Sequence, residues 1–319
     1  MKTLADIKKI AVLGAGTMGP GIAQTYAMGG YEVTMWTRSE STREKAIASL
    51  HSQLDTFQEE GLLEEPKDVI LGRIHFALTV EECVDGADFI QETIVEKKDA
   101  KEALYAQLAE CVPSDVIIAS NTSALNIFEI VPEKLLPQQI ICHWYAPPHV
   151  IPLVEVVKSE QAPQEYADIA VTMLNNCGKT AVLMKKFIRG YIVNRLQQCL
   201  NQEVFYLLDN GYCDAEAIDL AAKASFIPRA CVLGLCKRMD FGGVDMTYNN
   251  FKNKSYAAPQ WDNPPTTLQT LVDANKLGIK TGEGFYSYEG VDMEALKAKR
   301  DKQLFEIFRV TKKFMADPV

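Results

Sequence analysis

The first half of the chain alternates short apolar runs with polar segments of helical length. Residues 10–13 form an apolar run that ends in glycines, and a helical stretch (18–28) and a second run (33–36) follow. This order predicts a strand–helix–strand unit. Further short apolar runs, separated by polar helical segments, lie at 89–91, 116–119, 140–142 and 153–157. The pattern predicts an α/β fold with a mostly parallel, doubly wound sheet.

After Lys185 the pattern changes to long stretches with helical periodicity, at 191–209, 215–224 and 293–316. The second half is therefore predicted to be all-α. We expect two domains, residues 1–187 and a smaller helical domain over 188–319. A chain of 319 residues fits this number, since domains commonly have about 100 to 200 residues.

Composition narrows the range of partners. The net charge of −9 makes nucleic acid or an anionic membrane surface an unexpected main partner, and no apolar run reaches the roughly 18 residues of a membrane-spanning helix. The eight cysteines are scattered without a CxxC pair, which is typical of reduced thiols in a cytoplasmic protein. We expect a cytoplasmic protein with no metal site.

A glycine-rich motif joins the first predicted strand to the first predicted helix. Gly14, Gly16 and Gly19 form a GxGxxG pattern with Thr17 and Met18. The first glycine permits a tight turn, the second lets a pyrophosphate approach the backbone, and the third allows close packing of helix and strand. The amides of the helix N-terminus would then face the phosphates. The motif favours a dinucleotide site over a merely structural turn.

The end of the second predicted strand bears on which dinucleotide binds. An NAD site usually has an acidic residue there, but this chain has Thr37, Arg38 and Ser39, with Thr37 18 positions beyond Gly19. Arginine with hydroxyl donors suits a 2′-phosphate. We therefore expect NAD(P) binding with a mild preference for NADP(H). In the alternative interpretation Arg38 is solvated and Glu40 reaches the ribose.

Two residues have the chemistry needed to oxidise an alcohol. His143 directly follows an apolar strand, and histidine, with an ordinary pKa of about 6.5, suits a base that accepts a hydroxyl proton. Glu155 lies 12 positions further on within an apolar run. A buried carboxylate needs a partner, and it would orient the ring and stabilise its charged form.

The order of several segments identifies a family resemblance. The chain resembles the 3-hydroxyacyl-CoA dehydrogenase family over nearly its whole length, through GAGTMG, IVE, SNTS, a histidine before an aromatic pair and proline, LVEV, GYIVNR and LGIKTGEGFYSY. The resemblance implies a Rossmann-type domain, a helical C-terminal dimerisation domain and therefore a homodimer. It also implies a catalytic dyad of His143 as general base and Glu155 as its partner.

The same resemblance implies further site residues. Ser123 would hold the substrate oxygen and Asn194 would complete that site, while Glu96 and Lys101 would contact the nicotinamide half of the cofactor. Three of these residues have a structural alternative. Ser123 and Asn194 suit helix caps, and Lys101 suits a solvated charged face.

The chain also departs from the family pattern. Alanine (Ala146) replaces the asparagine of the usual Phe-Phe-Asn-Pro that follows the histidine, and residues 147–155 resemble L-gulonate and L-carnitine dehydrogenases, whose substrates carry no CoA. Residues 50–66 contain several acids and no Lys or Arg, which disfavours CoA phosphates. Arg229, predicted in a loop, suits a substrate carboxylate or a structural role.

We therefore expect an NAD(P)-dependent oxidoreductase that interconverts a 3-hydroxyacyl-CoA or related 3-hydroxy acid with its ketone. Dehydrogenation of a free, non-CoA hydroxy acid is the alternative within this class. A non-catalytic dinucleotide-binding protein is the alternative outside it, and the set of four catalytic candidates argues against it.

Overall fold

The computed structural model describes residues 2–254, 258–259, 261 and 263–318. The chain divides into two compact units, and Ile192 ends the first while Val193 begins the second. The last residues of the first unit are held within it, since Tyr191 Oη donates to Thr122 O and Ile192 N–H donates to Glu155. These two contacts place the division after Ile192.

An eight-stranded sheet organises the first unit, in the order β3-β2-β1-β4-β5-β6-β7-β8. All neighbouring strands are parallel except β6 and β7, which are antiparallel. The strands are β1 (Lys9–Leu13), β2 (Glu32–Trp36), β3 (Ile74–Ala77), β4 (Phe89–Glu92), β5 (Ile117–Ser120), β6 (Gln139–Trp144), β7 (Leu153–Lys158) and β8 (Thr180–Leu183).

Helices cover both faces of this sheet, as successive strand residues point to opposite sides. In β1, Ile10 and Val12 pack with α1, α2 and α6, whereas Ala11 and Leu13 pack with α4 and α5. The helices are α1 (Gly19–Met28), α2 (Glu40–Glu59), α3 (Lys67–Gly72), α4 (Val80–Val84), α5 (Lys98–Cys111) and α6 (Gln164–Asn176). Two cores, one on each face, therefore fix the strand ends that carry the predicted site.

The second unit is helical, and most of its side chains are accessible in the single chain. Among its described residues Phe305 is the one buried hydrophobic side chain. The helices are α7 (Val193–Asp209), α8 (Ala215–Ala221), α9 (Ile227–Leu233), α10 (Leu235–Gly242), α11 (Val244–Lys252), α12 (Thr266–Asp273) and α13 (Met293–Ala316). None of the helices in the described part of the chain is long and apolar enough to cross a membrane.

The predicted fold class is confirmed, with two additions and one correction. The strands β3 and β8 were not predicted, because both are short and only partly buried. The prediction that Arg229 lies in a loop is wrong. Arg229 is the third residue of α9, directly after Pro228, which favours the first turn of a helix. The Nε of Arg229 donates to Ser225 O.

Candidate active site

The glycine-rich loop has the geometry that its sequence predicts. Gly14 has φ +125°, and a Cβ there would lie 2.7 Å from Thr93 O at the end of β4. A Cβ on Gly19 would lie 1.9 Å from Gly14 O, so only glycine lets α1 approach the loop this closely. A Cβ on Gly16 would meet no protein atom within 4 Å. The missing side chain at Gly16 instead leaves room for a ligand beside the loop.

The N-terminus of α1 is suited to an anion. Met18 is its N-cap and makes no side-chain capping bond, and the first turn holds no acid. Pro20 has no N–H, but the amides of Gly19 and Gly21 therefore stay available, and the helix dipole favours negative charge there. A cavity of about 310 Å³ lies beside the loop, lined by Gly14, Gly16, Trp36 and Arg38 among others. Loop, helix terminus and cavity together fit a dinucleotide.

The residues after β2 are placed differently from one another. Thr37 is buried and its hydroxyl has no hydrogen-bond partner, whereas Arg38 is exposed at the cavity. Ser39 caps α2 by accepting the Thr42 N–H at 3.3 Å. The carboxylate of Glu40 is paired with Arg43 at 3.3 Å. Of these side chains, Arg38 is the cation that lines the cavity.

His143 and Glu155 face each other across the antiparallel strands β6 and β7. They are direct register partners, and Nδ1 of His143 lies 3.0 Å from Oε2 of Glu155. Both side chains are buried, at 2% and 1% exposure. Directly opposed residues in an antiparallel pair have close Cβ atoms, so the strand register itself brings the two together. The opposite ring nitrogen, Nε2, lies 3.3 Å from Ser123 Oγ.

Glu96 holds the turn that carries Ser123. One oxygen of Glu96 accepts the Thr122 hydroxyl at 2.7 Å and the backbone N–H groups of Ser123 and Ala124 at 2.8 and 2.9 Å. Burial alone would raise the pKa of Glu96, but these hydrogen bonds hold it below its usual value. No helix begins at Ser120–Ser123, so the capping alternative for Ser123 is wrong.

Lys101 is fully buried rather than solvated, and its main partner is a residue that sequence reasoning missed. Its Nζ lies 2.7 Å from both oxygens of Glu92, at the end of β4, and 3.5 Å from Glu96. Glu92 also accepts the Ser120 hydroxyl at 2.5 Å. An acid within the apolar run of β4 was the available signal. Through these contacts Glu92 and Lys101 connect β4, β5 and α5 next to the turn that carries Ser123.

Two tyrosines enclose the imidazole of His143. The ring of Tyr191 stacks on it at 4.3 Å and 21°, and the ring of Tyr145 lies at 4.6 Å and 58°. Tyr145 Oη also donates to Glu155 Oε2 at 2.6 Å. Burial, followed by the nearby charges of Glu96 and Glu155, raises the pKa of Tyr191 well above its usual range. Neither tyrosine was predicted as a site residue.

The remaining predicted residues belong to the second unit. Asn194 is the second residue of α7, and Arg229 lies within α9. The described residues contain no group of three or more His, Cys, Asp or Glu side chains arranged to hold a metal ion.

Two family models cover most of the chain. The model of the "3-hydroxyacyl-CoA dehydrogenase, NAD binding domain" matches residues 9–187, and that of the "3-hydroxyacyl-CoA dehydrogenase, C-terminal domain" matches residues 190–288. Their order along the chain is the order of the two structural units.

Three curated relatives have different names within this family. A 5-formyl-3-hydroxy-2-methylpyridine 4-carboxylate 5-dehydrogenase of Mesorhizobium japonicum is 30% identical, over 95% of this chain and 98% of its own. A probable 3-hydroxybutyryl-CoA dehydrogenase of Bacillus subtilis is 33% identical, over 89% and 98%. An L-carnitine dehydrogenase of Streptomyces griseus is 27% identical, over 96% and 90%. The similarity spans relatives named for CoA thioesters and relatives named for other substrates.

A solved structure is similar along almost the whole chain. It is a 5-formyl-3-hydroxy-2-methylpyridine 4-carboxylic acid 5-dehydrogenase, described as an NAD+-dependent dismutase. It matches with a TM-score of 0.85 and 27% identity, over 96% of this chain and 99% of its own.

Proposed function

The chain belongs to the 3-hydroxyacyl-CoA dehydrogenase family, and from this premise we propose that it oxidises a 3-hydroxy acid, or its thioester, with His143 as the base. The observation that carries this proposal is the buried pair of His143 and Glu155, with Ser123 at the other ring nitrogen. A non-catalytic dinucleotide-binding protein would have no use for a histidine oriented in this way.

Glu155 fixes the tautomer of the base. With Nδ1–H donated to Glu155, the lone pair of Nε2 points toward Ser123 and is available for a proton. His143 takes the hydroxyl proton of the substrate as the carbonyl forms, and the Glu155 carboxylate stabilises the resulting imidazolium. A bound nicotinamide cofactor would supply the hydride chemistry of either direction.

Ser123 is proposed to hold the reacting oxygen. Its hydroxyl lies beside Nε2 of His143, and the Glu96 hydrogen bonds fix the turn that presents it. A fixed donor stabilises the charge that develops on that oxygen without reorganisation. On the family resemblance we retain Asn194 as a second donor to this oxygen. From the bidentate geometry of the guanidinium group we retain Arg229 as a ligand for a substrate carboxylate.

The cofactor is proposed to be held by the loop from Gly14 to Gly19, and NADP(H) is the preferred form. An acid at position 37 would repel a 2′-phosphate, whereas Thr37 is neutral and the Arg38 guanidinium lines the cavity. We expect Arg38→Ala to lower kcat/KM for NADPH about tenfold relative to NADH. Equal loss with both nucleotides, or a wild-type preference for NADH, would refute this choice.

Replacement of the base tests the reaction itself. We expect His143→Ala to lower kcat about 10³-fold or more, because general-base catalysis contributes about 10² to 10⁴ and the variant loses all of it. The dissociation constant of the cofactor, measured by fluorescence titration, should not change. His75→Ala, which removes an exposed histidine from β3, is the matched control. A His143→Ala enzyme that keeps most of its kcat would overturn the assignment.

The substrate is proposed to be a free acid rather than a CoA thioester. The segment 50–66 is acidic, and the two cations that follow it are already engaged, Lys67 with Asp55 and Arg73 with Glu65. Phosphate groups of CoA would find no Lys or Arg within this segment, although Arg43 and Lys45 precede it and could still serve. A relative that matches at a TM-score of 0.85 is named for a carboxylate substrate without CoA.

Inhibition by free CoA tests this choice independently of turnover with a thioester. If the site has no CoA subsite, millimolar CoA should leave the turnover of a free 3-oxo acid unchanged. Competitive inhibition by CoA at micromolar concentration would place the enzyme among the acyl-CoA dehydrogenases of the family.

A homodimer in the cytoplasm is proposed as the working form. Large apolar side chains are exposed in the second unit, including Leu220 at 69%, Phe241 at 63% and Phe251 at 83%. Exposed apolar surface of this extent favours association, here with a second copy through the helical unit. The eight cysteines, all present as free thiols, support a reducing compartment. Light scattering at micromolar protein should give a mass of two chains; a monomer would contradict the proposal.

A further inference from the structure

Tyr145 makes a contact with the His143–Glu155 pair that the dehydrogenation chemistry alone does not require. Its hydroxyl donates at 2.6 Å to Glu155 Oε2, which is the same oxygen that lies 3.0 Å from His143 Nδ1. The phenol of Tyr145 and the imidazole of His143 therefore meet at a single carboxylate oxygen.

We propose that Tyr145 is a positioning residue that tunes the basicity of His143 by sharing the carboxylate oxygen of Glu155. This proposal deepens the proposed function. Its effect on the reaction rates rests on that function, whereas its effect on the titration of the imidazole does not.

The sharing weakens the hold of Glu155 on the ring. A carboxylate oxygen that accepts a strong O–H donor has less electron density for a second donor. The other oxygen of Glu155 accepts the Ile192 N–H at 2.9 Å. Donors at both oxygens keep the carboxylate ionised in a buried place, while the tyrosine competes with the imidazole for its charge. Removal of the tyrosine hydroxyl would therefore return this charge to the imidazole.

The second tyrosine has a different contact and supplies the comparison. Tyr191 stacks on the imidazole, and its hydroxyl donates to Thr122 O rather than to Glu155. Tyr191 therefore fixes the ring plane, and Tyr145 acts on the ring through the carboxylate. The backbone of Tyr191 has φ +49°, which is uncommon for a residue other than glycine. The contacts of its ring and hydroxyl hold it in this conformation.

The groups that face the imidazole are few enough for its titration to be interpreted. Glu155 faces it from β7, Ser123 from the turn after β5, and the two tyrosines from the segments after β6 and β8. Besides burial, the charges of Glu96 and Glu92 act on Tyr191 and raise its pKa. Of the two tyrosines, Tyr145 donates its hydroxyl to Glu155, so removal of that hydroxyl changes the carboxylate directly.

The test is the titration of His143 in the Tyr145→Phe protein, followed by NMR of labelled histidine side chains. The chain has four histidines, and the His143→Ala spectrum assigns the relevant signal. We expect the midpoint to rise by about 0.5 to 1 pH unit, since the full Glu155 charge then stabilises the imidazolium. Tyr166→Phe is the matched control, because it removes a hydroxyl from a buried tyrosine packed on the other face of β7. Its midpoint should equal that of the wild type.

Kinetics supplies the second readout. The acid limb of the pH profile of kcat/KM for alcohol oxidation should move upward by the same amount. At a pH below the limb the variant should lose about three- to tenfold, and on the alkaline plateau almost nothing. A uniform loss at every pH with an unmoved midpoint would show a merely structural role and overturn the proposal.

A variant with a stronger donor guards against a folding defect. Replacement of Tyr145 by 3,5-difluorotyrosine keeps the ring and strengthens the hydroxyl as a donor, so the midpoint should move downward. A midpoint that stays fixed in both variants would refute the sharing. If no substrate is turned over, the NMR midpoint still decides the Tyr145 proposal, so that its failure and the failure of the proposed reaction are distinguishable.

Discussion

The two units of this protein use their side chains in opposite ways. In the first, a sheet covered on both faces buries apolar residues and also a set of ionisable ones, including Glu92, Lys101, His143 and Glu155. In the second, Phe305 is the one buried hydrophobic residue among those described, and apolar side chains such as Phe251 are exposed. The first unit therefore combines a buried apolar core with buried polar chemistry, whereas the described part of the second leaves most of its apolar side chains accessible.

The buried ion pair should be the most sensitive point of the first unit. Glu92→Gln leaves Lys101 buried without its nearer charge partner, with Glu96 at 3.5 Å as the remaining one, and we expect a loss of about 3 to 5 kcal/mol in the free energy of unfolding. Urea denaturation measures this loss. Glu102→Gln removes the exposed partner of Lys98 from the same helix and should cost less than about 1 kcal/mol. Equal losses would show that burial does not distinguish these two pairs.

Two leucine substitutions, one in each unit, compare a buried with an exposed apolar side chain. Leu54 in α2 is fully buried, and Leu54→Ala should cost about 2 to 5 kcal/mol because it leaves a cavity. Leu220 in α8 is 69% exposed, and Leu220→Ala should cost less than about 0.5 kcal/mol in dilute protein. A loss at Leu220 that grows with protein concentration would show that a second copy covers α8.

A buried lysine of the first unit should make the stability of the protein depend on pH. Burial lowers the pKa of Lys179 to about 7, while its Nζ donates to Pro148 O and Ile151 O. The unfolded chain, with an ordinary lysine, binds more protons between pH 7 and about 10, so stability should rise with pH across this window and stay level below it. We expect a rise of about 1 kcal/mol per pH unit.

Substitution isolates that contribution. Lys179→Met should remove the rise between pH 7 and 9, although it also leaves the two carbonyl groups without their donor. Lys276→Met, at an exposed lysine of the second unit paired with Glu283, should leave the slope unchanged. A slope that persists in the Lys179→Met protein would contradict the assignment.

Much of the fold could be predicted because its signals are local. The glycine-rich turn, the central apolar strands and the long helices of the second half each depend on a few neighbouring residues. The edge strands β3 and β8 escaped prediction because edge positions such as His75 and Thr180 are only partly buried and give no clear pattern.

The candidate site was predicted where a motif marked it and missed where only packing creates it. His143 and Glu155 were identified from strand ends and resemblance, but the antiparallel register that opposes them was not. The roles of Glu92 and Tyr145 depend on partners 9 and 10 positions away, Lys101 and Glu155, on other elements of the fold. Sequence periodicity does not encode such contacts, although an acid in an apolar strand and a tyrosine in place of phenylalanine were visible signals.

The most direct test of the account is cofactor oxidation by the purified protein with free 3-oxo acids and with acetoacetyl-CoA, each with NADPH and NADH. The account predicts turnover of a free acid, faster with NADPH, and little or none with the thioester. Rapid turnover of acetoacetyl-CoA would contradict the proposed substrate class and leave the family activity in place. No turnover of any acid or thioester, despite tight cofactor binding, would contradict the proposed catalysis itself.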